Sequence, residues 1–123
     1  MSKPRPETAL ETYKAIIDDL VSETRFHGNG SRLKKSGIYS SASDKEKQNK
    51  FVDSLTPEQR GLLAEMLIDE REGAIHDVLA ALEWWVTCRE VVLTFRGEPL
   101  PVEFAEGMHH DFVGRCGGYD WPK

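Results

Sequence analysis

The chain has 123 residues, 39% hydrophobic and 30% charged, with a net charge of −5. That length can bury one self-sufficient core, so residues 1–123 read as a single domain. The acidic balance argues against general nucleic-acid binding, and no run reaches the roughly 18 uncharged apolar residues of a membrane span.

The polar start, Met1-Ser2-Lys3-Pro4-Arg5-Pro6-Glu7, lacks the apolar stretch of a secretory signal, so a cytoplasmic protein is expected. Residues 1–6 read as a mobile tail. From Glu7 to about Arg25 the apolar positions Leu10, Tyr13, Ile16, Ile17, Leu20 and Val21 recur at three and four. That spacing predicts an amphipathic helix, closed by Gly28-Asn29-Gly30. Residues 28–43 are rich in Ser and Lys and nearly empty of apolar side chains, which reads as a flexible basic loop. Arg32, Lys34, Lys35, Lys45, Lys47 and Lys50 cluster around it, in the pattern of a solvated surface. A short helix is predicted over Asp44–Leu55, with Ser43 and Glu46 as its capping box.

One long helix dominates the chain from Thr56 to about Glu90. Thr56 suits the N-cap, Pro57 sits where a missing N–H costs nothing, and Gln59 completes a capping box. Residues 58–90 carry 8 acids against 3 bases, so most of the acidity lies here. At about 100° per residue, Ala64, Leu67, Ile68, Ala74, Ile75, Val78, Leu79, Leu82, Trp85 and Val86 form a core face. Beside it runs an acidic stripe of Glu65, Asp69, Glu72, His76, Glu83 and Glu90. A second apolar stripe of Leu62, Met66, Gly73, Ala80 and Trp84 lies at the back. A helix apolar on two sides is packed on two sides. Either the N-terminal helix covers one face and the Phe112–Trp121 tail the other, or a second copy of the chain docks where Gly73 and Ala80 allow close approach. Gly73 could instead mark a kink. Arg71 falls inside the core sector and needs a carboxylate, from Glu70 or the first helix.

Beyond the helix, Val91, Leu93 and Phe95 alternate with Val92, Thr94 and Arg96, Gly97-Glu98 offers a turn, and Leu100, Val102 and Phe104 alternate again. A small hairpin is the preferred reading; a helix continuing to Arg96 is the other. Glu106 to Trp121 mixes glycine with aromatics and reads as an irregular segment or a short helical turn strapped over the core. The expected fold is therefore mainly α, built around one long helix. Of the two cysteines, Cys88 reads as a small buried hydrophobe and Cys116 as the more exposed thiol.

No complete catalytic constellation appears: there is no nucleophile elbow, H-E-x-x-H or phosphate loop. Asp69, Glu72 and His76 could contribute to a divalent-metal site with His109, His110 or Asp111. Known di-metal helices use Glu-x-x-His, whereas this chain has Glu72-x-x-x-His76. A solvated acidic face is the preferred account, so no cofactor is expected. Convergence of His76 with His109 and His110 around a carboxylate would revive the site.

The segment Glu70-Arg71-Glu72-Gly73-Ala74-Ile75-His76-Asp77-Val78-Leu79, with Leu55-Thr56-Pro57-Glu58-Gln59-Arg60, Gly97-Glu98-Pro99-Leu100-Pro101 and Asp111-Phe112-Val113-Gly114-Arg115 with Trp121, resembles a family of short bacterial proteins of unknown function. The resemblance covers about residues 50–122. It implies a bacterial cytoplasmic protein and no catalytic activity to inherit. The expected function is that of a non-enzymatic interaction protein, homodimeric through Leu62, Met66, Gly73, Ala80 and Trp84. A metal-binding protein or metallohydrolase is the alternative.

Overall fold

The computed structural model describes residues 4–123, so the tail expected over 1–6 lies partly outside the described residues. In chain order the helices are α1 (Ala9–Phe26), α2 (Gly28–Ser36), α3 (Glu46–Asp53), α4 (Pro57–Cys88) and α5 (Met108–Cys116). A hairpin of β1 (Thr94–Phe95) and β2 (Glu98–Pro99) separates α4 from α5. The protein is mainly helical around one long helix, as its periodicity predicts.

Helix α4 begins as its sequence requires. The Gln59 N–H donates to Thr56 Oγ1 at 3.1 Å, and the Thr56 N–H donates to Gln59 Oε1 at 2.9 Å, which satisfies two orphan donors reciprocally. The helix then runs 32 residues without a break, so Gly73 does not divide it. Helix α1 has its own start signal, which periodicity alone does not reveal. The Glu11 N–H donates to Thr8 Oγ1 at 3.1 Å, and the Glu7 N–H to Glu11 Oε2 at 2.8 Å.

Contacts gather the chain into two compact units. The first joins the chain up to Val21 with Ala74–Lys123. Its core holds Tyr13, Ile17 and Val21 of α1, Leu79 of α4, Val102, and Met108 and Phe112 of α5. In the hairpin Thr94 pairs with Pro99 and Phe95 with Glu98. Arg96 and Gly97 between them both have left-handed backbone, φ 51° and 83°, the conformation that matches strand twist in a two-residue turn. Pro99 faces Thr94 in the non-hydrogen-bonded pair next to the Leu100 N–H bond to the Leu93 carbonyl, so it forfeits no ladder bond. The segment expected to be irregular or one short turn contains α5. Met108 and Phe112, four residues apart, are both fully buried, and their burial supports a helix too short to stand alone.

The second unit, Ser22–Gly73, has a smaller core of Leu33, Val52 and Ala64, with Tyr39, Leu63 and Leu67 against it. The stretch read as a loop over 28–43 begins with α2 instead. Its glycines hid it. A Cβ on Gly30 would lie 2.7 Å from the Ala64 carbonyl oxygen and 2.8 Å from Ile68 Cγ1, so the missing side chain lets α2 lie directly on α4. Gly37 then ends α2 in the left-handed conformation, φ 74°, its N–H donating to the Leu33 carbonyl. The Ser43–Glu46 capping box does not form: a 3₁₀ turn over Ser43–Lys45 intervenes, and neither it nor α3 has a side-chain cap. Asn49 organises the connection. Its Oδ1 accepts from the Tyr39 and Ser40 N–H groups at 2.9 and 3.2 Å, and its Nδ2 donates to the Ser40 carbonyl at 2.7 Å. Arg71 finds its partner on the first helix, donating from Nε to the Glu23 carbonyl at 3.0 Å with the Glu23 carboxylate 3.7 Å away.

The contact at Gly30 makes a direct test. Gly30→Ala is expected to cost about 2 kcal/mol by overpacking. Gly61→Ala, at an open α4 position, is expected to gain up to about 1 kcal/mol from helix propensity. Urea denaturation of the two variants checks the opposite signs.

Candidate functional site

The three histidines singled out by the sequence meet in the first unit. The His76 and His109 rings stand edge to face with centroids 5.2 Å apart, and His109 and His110 are 4.2 Å apart. The carboxylate at this meeting point is Glu83, two turns after His76 on α4. Its Oε1 accepts from the Met108 N–H, the first of α5, at 2.9 Å. Its Oε2 lies 2.8 Å from His109 Nδ1, yet that buried nitrogen makes no hydrogen bond. Gly107, with φ 108°, admits the carboxylate, because a Cβ there would collide with Glu83. His76 turns its Nδ1 to the exposed Asp77 at 3.0 Å.

Asp111 has a different role from the ligand expected of it. It is 7% exposed and both of its oxygens are engaged. Oδ2 accepts from the Tyr13 hydroxyl at 2.5 Å and Oδ1 from the Glu106 N–H at 3.0 Å. Asp69 is exposed and Glu72 half-buried on the first half of α4. No group of three or more metal-ligating side chains forms among the described residues. Glu83 and Tyr13 are the residues that sequence reasoning passed over as site members. Glu83 was visible on the acidic stripe; Tyr13 looked like any core residue of α1.

Burial, followed by the hydrogen bond to Asp111 and the charges of Asp111, Glu83 and Glu103, holds the Tyr13 hydroxyl well above the ordinary tyrosine range. The phenol therefore stays protonated and serves as a donor.

The outer face of α4 is the other prominent feature. Helices α1 and α5 both pack on the side of Ile75, Leu79, Leu82 and Val86. The arrangement with α1 on one face and the tail on the other is therefore not adopted. Val78, Trp84 and Trp85 remain 67%, 46% and 50% exposed. The sequence pattern places Val78 and Trp85 on the core face, but the covered arc is narrower than the apolar sector. Of the second stripe, Leu62 and Met66 are exposed, Ala80 is half-buried, and nothing lies within 4 Å of where a Gly73 Cβ would sit. The Trp84 and Trp85 rings stand edge to face at 5.2 Å, with the Arg89 guanidinium 5.3 Å over Trp84. The cysteines exchange their expected roles: Cys88 is exposed on this helix, while Cys116 packs half-buried against the core.

In the basic segment, Lys34 and Lys35 occupy the last turn of α2, where cations complement the free carbonyls. Lys50 pairs with Glu46 at 3.5 Å on the surface of α3.

The sequence profile of a family of unknown function matches residues 6–123. The chain belongs to this family, DUF6547. The match extends the resemblance seen over residues 50–122 to the basic segment and α1. No curated protein and no solved structure matches the chain. Among the described residues no helix is long and apolar enough to cross a membrane.

The buried phenol–carboxylate pair has a measurable pH signature. The folded chain holds the Tyr13 proton above the ordinary value of 10.0, so the unfolded chain releases it first. Stability should fall as pH rises past that value, by about 1.4 kcal/mol per pH unit from this group. Tyr13→Phe leaves Asp111 short of a donor and should cost about 1–3 kcal/mol at neutral pH. The variant should lack this part of the alkaline fall. Denaturant titrations of both proteins from pH 7 to pH 11 check the two effects.

Proposed function

We propose that this protein is a non-enzymatic interaction protein that self-associates through the outer face of α4. The observation carrying the proposal is the exposure of Trp84, Trp85 and Val78 on the outer side of α4, away from the described core. Clustered exposed aromatics are the residue types that anchor protein interfaces.

Helix geometry supports a second copy as the occupant. Gly73, Ala74, Trp84 and Trp85 belong to one uninterrupted helix. An antiparallel two-fold pairing at the level of Leu79 would set Gly73 opposite the partner's Trp85 and Ala74 opposite the partner's Trp84. Small residues would then receive large ones on both sides, which is the self-complementarity that an isologous contact needs. Asp69 and Arg89 would come opposite each other in the same register, opposite in charge. Cys88 would lie at the edge of the seam.

Light scattering on a size-exclusion column should give twice the 13.9 kDa mass of one chain. Tryptophan emission should shift to the blue as protein concentration rises. Trp84→Glu is expected to give a monomer with unchanged far-ultraviolet circular dichroism. A wild-type chain that stays monomeric over the whole concentration range would overturn the proposal.

A further inference from the structure

A pocket of about 460 Å³ opens in the first unit between the segment before α5, the exposed side of α5 and the C-terminal residues. Its volume suits a small molecule. Phe104, Tyr119 and Trp121 supply aromatic walls, and Glu106, Asp111 and Asp120 supply carboxylates.

The balance of charge available to a ligand is negative. Arg115, the one permanent cation of the lining, is already committed. Its Nε and Nη2 donate to the two oxygens of Asp18 at 2.8 and 3.3 Å, and its Nη1 donates to the Tyr119 carbonyl at 2.8 Å. Asp111 is engaged by Tyr13 and the Glu106 N–H. The Glu106 and Asp120 side chains, by contrast, have no partner among the described residues.

The walls attract positive charge. Lys14 Nζ lies 5.0 Å from the Phe104 centroid and 6.0 Å from that of Trp121, and the Arg115 guanidinium lies 5.4 Å from Trp121. Tyr119 is 73% exposed, and among the described residues no such cation lies over its ring. Trp121 is held in place by its Nε1–H, which donates to Asp18 Oδ2 at 3.3 Å. Aromatic rings beside unpaired carboxylates are the combination that recognises an organic ammonium group.

We propose that this pocket binds a small organic cation, a primary amine with an apolar body. Its ammonium group is held by Glu106 and Asp120, and its body lies against Tyr119 and Trp121. The site stands apart from the proposed self-association, since none of these residues lies on α4.

Titration of the ¹⁵N-labelled full chain with phenethylamine tests the proposal, with phenylacetate as the probe of similar body and opposite charge. The three tryptophan indole N–H signals report separately, and Trp121→Phe identifies the one that matters. Phenethylamine should shift the Trp121 signal saturably, with a dissociation constant at or below about 1 mM, while the Trp84 and Trp85 signals stay in place. Phenylacetate should leave all three unchanged. Glu106→Gln combined with Asp120→Asn should weaken amine binding about tenfold or more without changing the melting temperature appreciably. An equal response to phenylacetate, no saturable response to phenethylamine, or undiminished binding by the folded double variant would each overturn the proposal. Should the double variant fail to fold, the comparison of the two probes on the wild-type chain decides alone.

Discussion

Two buried or half-buried carboxylates determine where α5 lies, and the chemistry of the first unit follows from that placement. A nine-residue helix is too short to hold itself together in water. Glu83 of α4 receives the first N–H of α5, and Asp111 within α5 receives the N–H of Glu106 just before the helix. Both negative charges thus sit at the helix end where the backbone dipole favours them. Tyr13 ties the second carboxylate to α1. Phe112 and Met108 supply the apolar burial, but the polar contacts choose the register. A slide of α5 by one residue would take Met108 from Glu83 and Asp111 from Tyr13 together.

Elements whose signals are local could be read from the sequence. Thr56 and Gln59 announce α4 and form the bonds that their spacing suggests. The glycine between the alternating runs marks the hairpin, although the turn is Arg96-Gly97 and not the Gly97-Glu98 that the sequence suggests, since Glu98 pairs with Phe95. Helix α2 could not be read in the same way, because Gly28 and Gly30 look like breakers in isolation. Their purpose appears only when Ala64 and Ile68 of α4 are placed against Gly30. A close approach of two backbones is a tertiary fact, and no window of the sequence contains both partners. The same limit hid Asn49, whose three hydrogen bonds replace the expected Ser43 cap.

The histidines show what spacing can and cannot say about a site. Spacing put His76 on a stripe with Asp69, Glu72 and Glu83, and it placed His109 and His110 together. It could not say which carboxylate the tail would meet, because that depends on where α5 turns back onto α4. Glu83 is that carboxylate, and it also serves as the acceptor at the helix start. Asp111, which looked like a ligand beside two histidines, is instead held by Tyr13. A carboxylate that accepts two hydrogen bonds from the protein has a structural role that already accounts for its presence.

Helix α4 raises the question of why a chain this small leaves two tryptophans in water. A helix that is apolar on most sides is stable only where those sides are covered. The core satisfies the side of Ile75, Leu79, Leu82 and Val86 and stops there. Folding alone gains little from Trp84, Trp85 and Val78, each about half exposed or more. A large aromatic kept on a surface also increases the risk of non-specific association. In the proposed pairing, small residues would reduce that risk, because Gly73 and Ala74 would favour one register in which bulky side chains have somewhere to go. Around Leu79 the exposed arc thus differs from a core face in its composition: small residues, Gly73 and Ala74, precede it and large ones, Trp84 and Trp85, follow it. A core packed by α1 and α5 would not need that gradient, whereas an antiparallel copy of the same helix would.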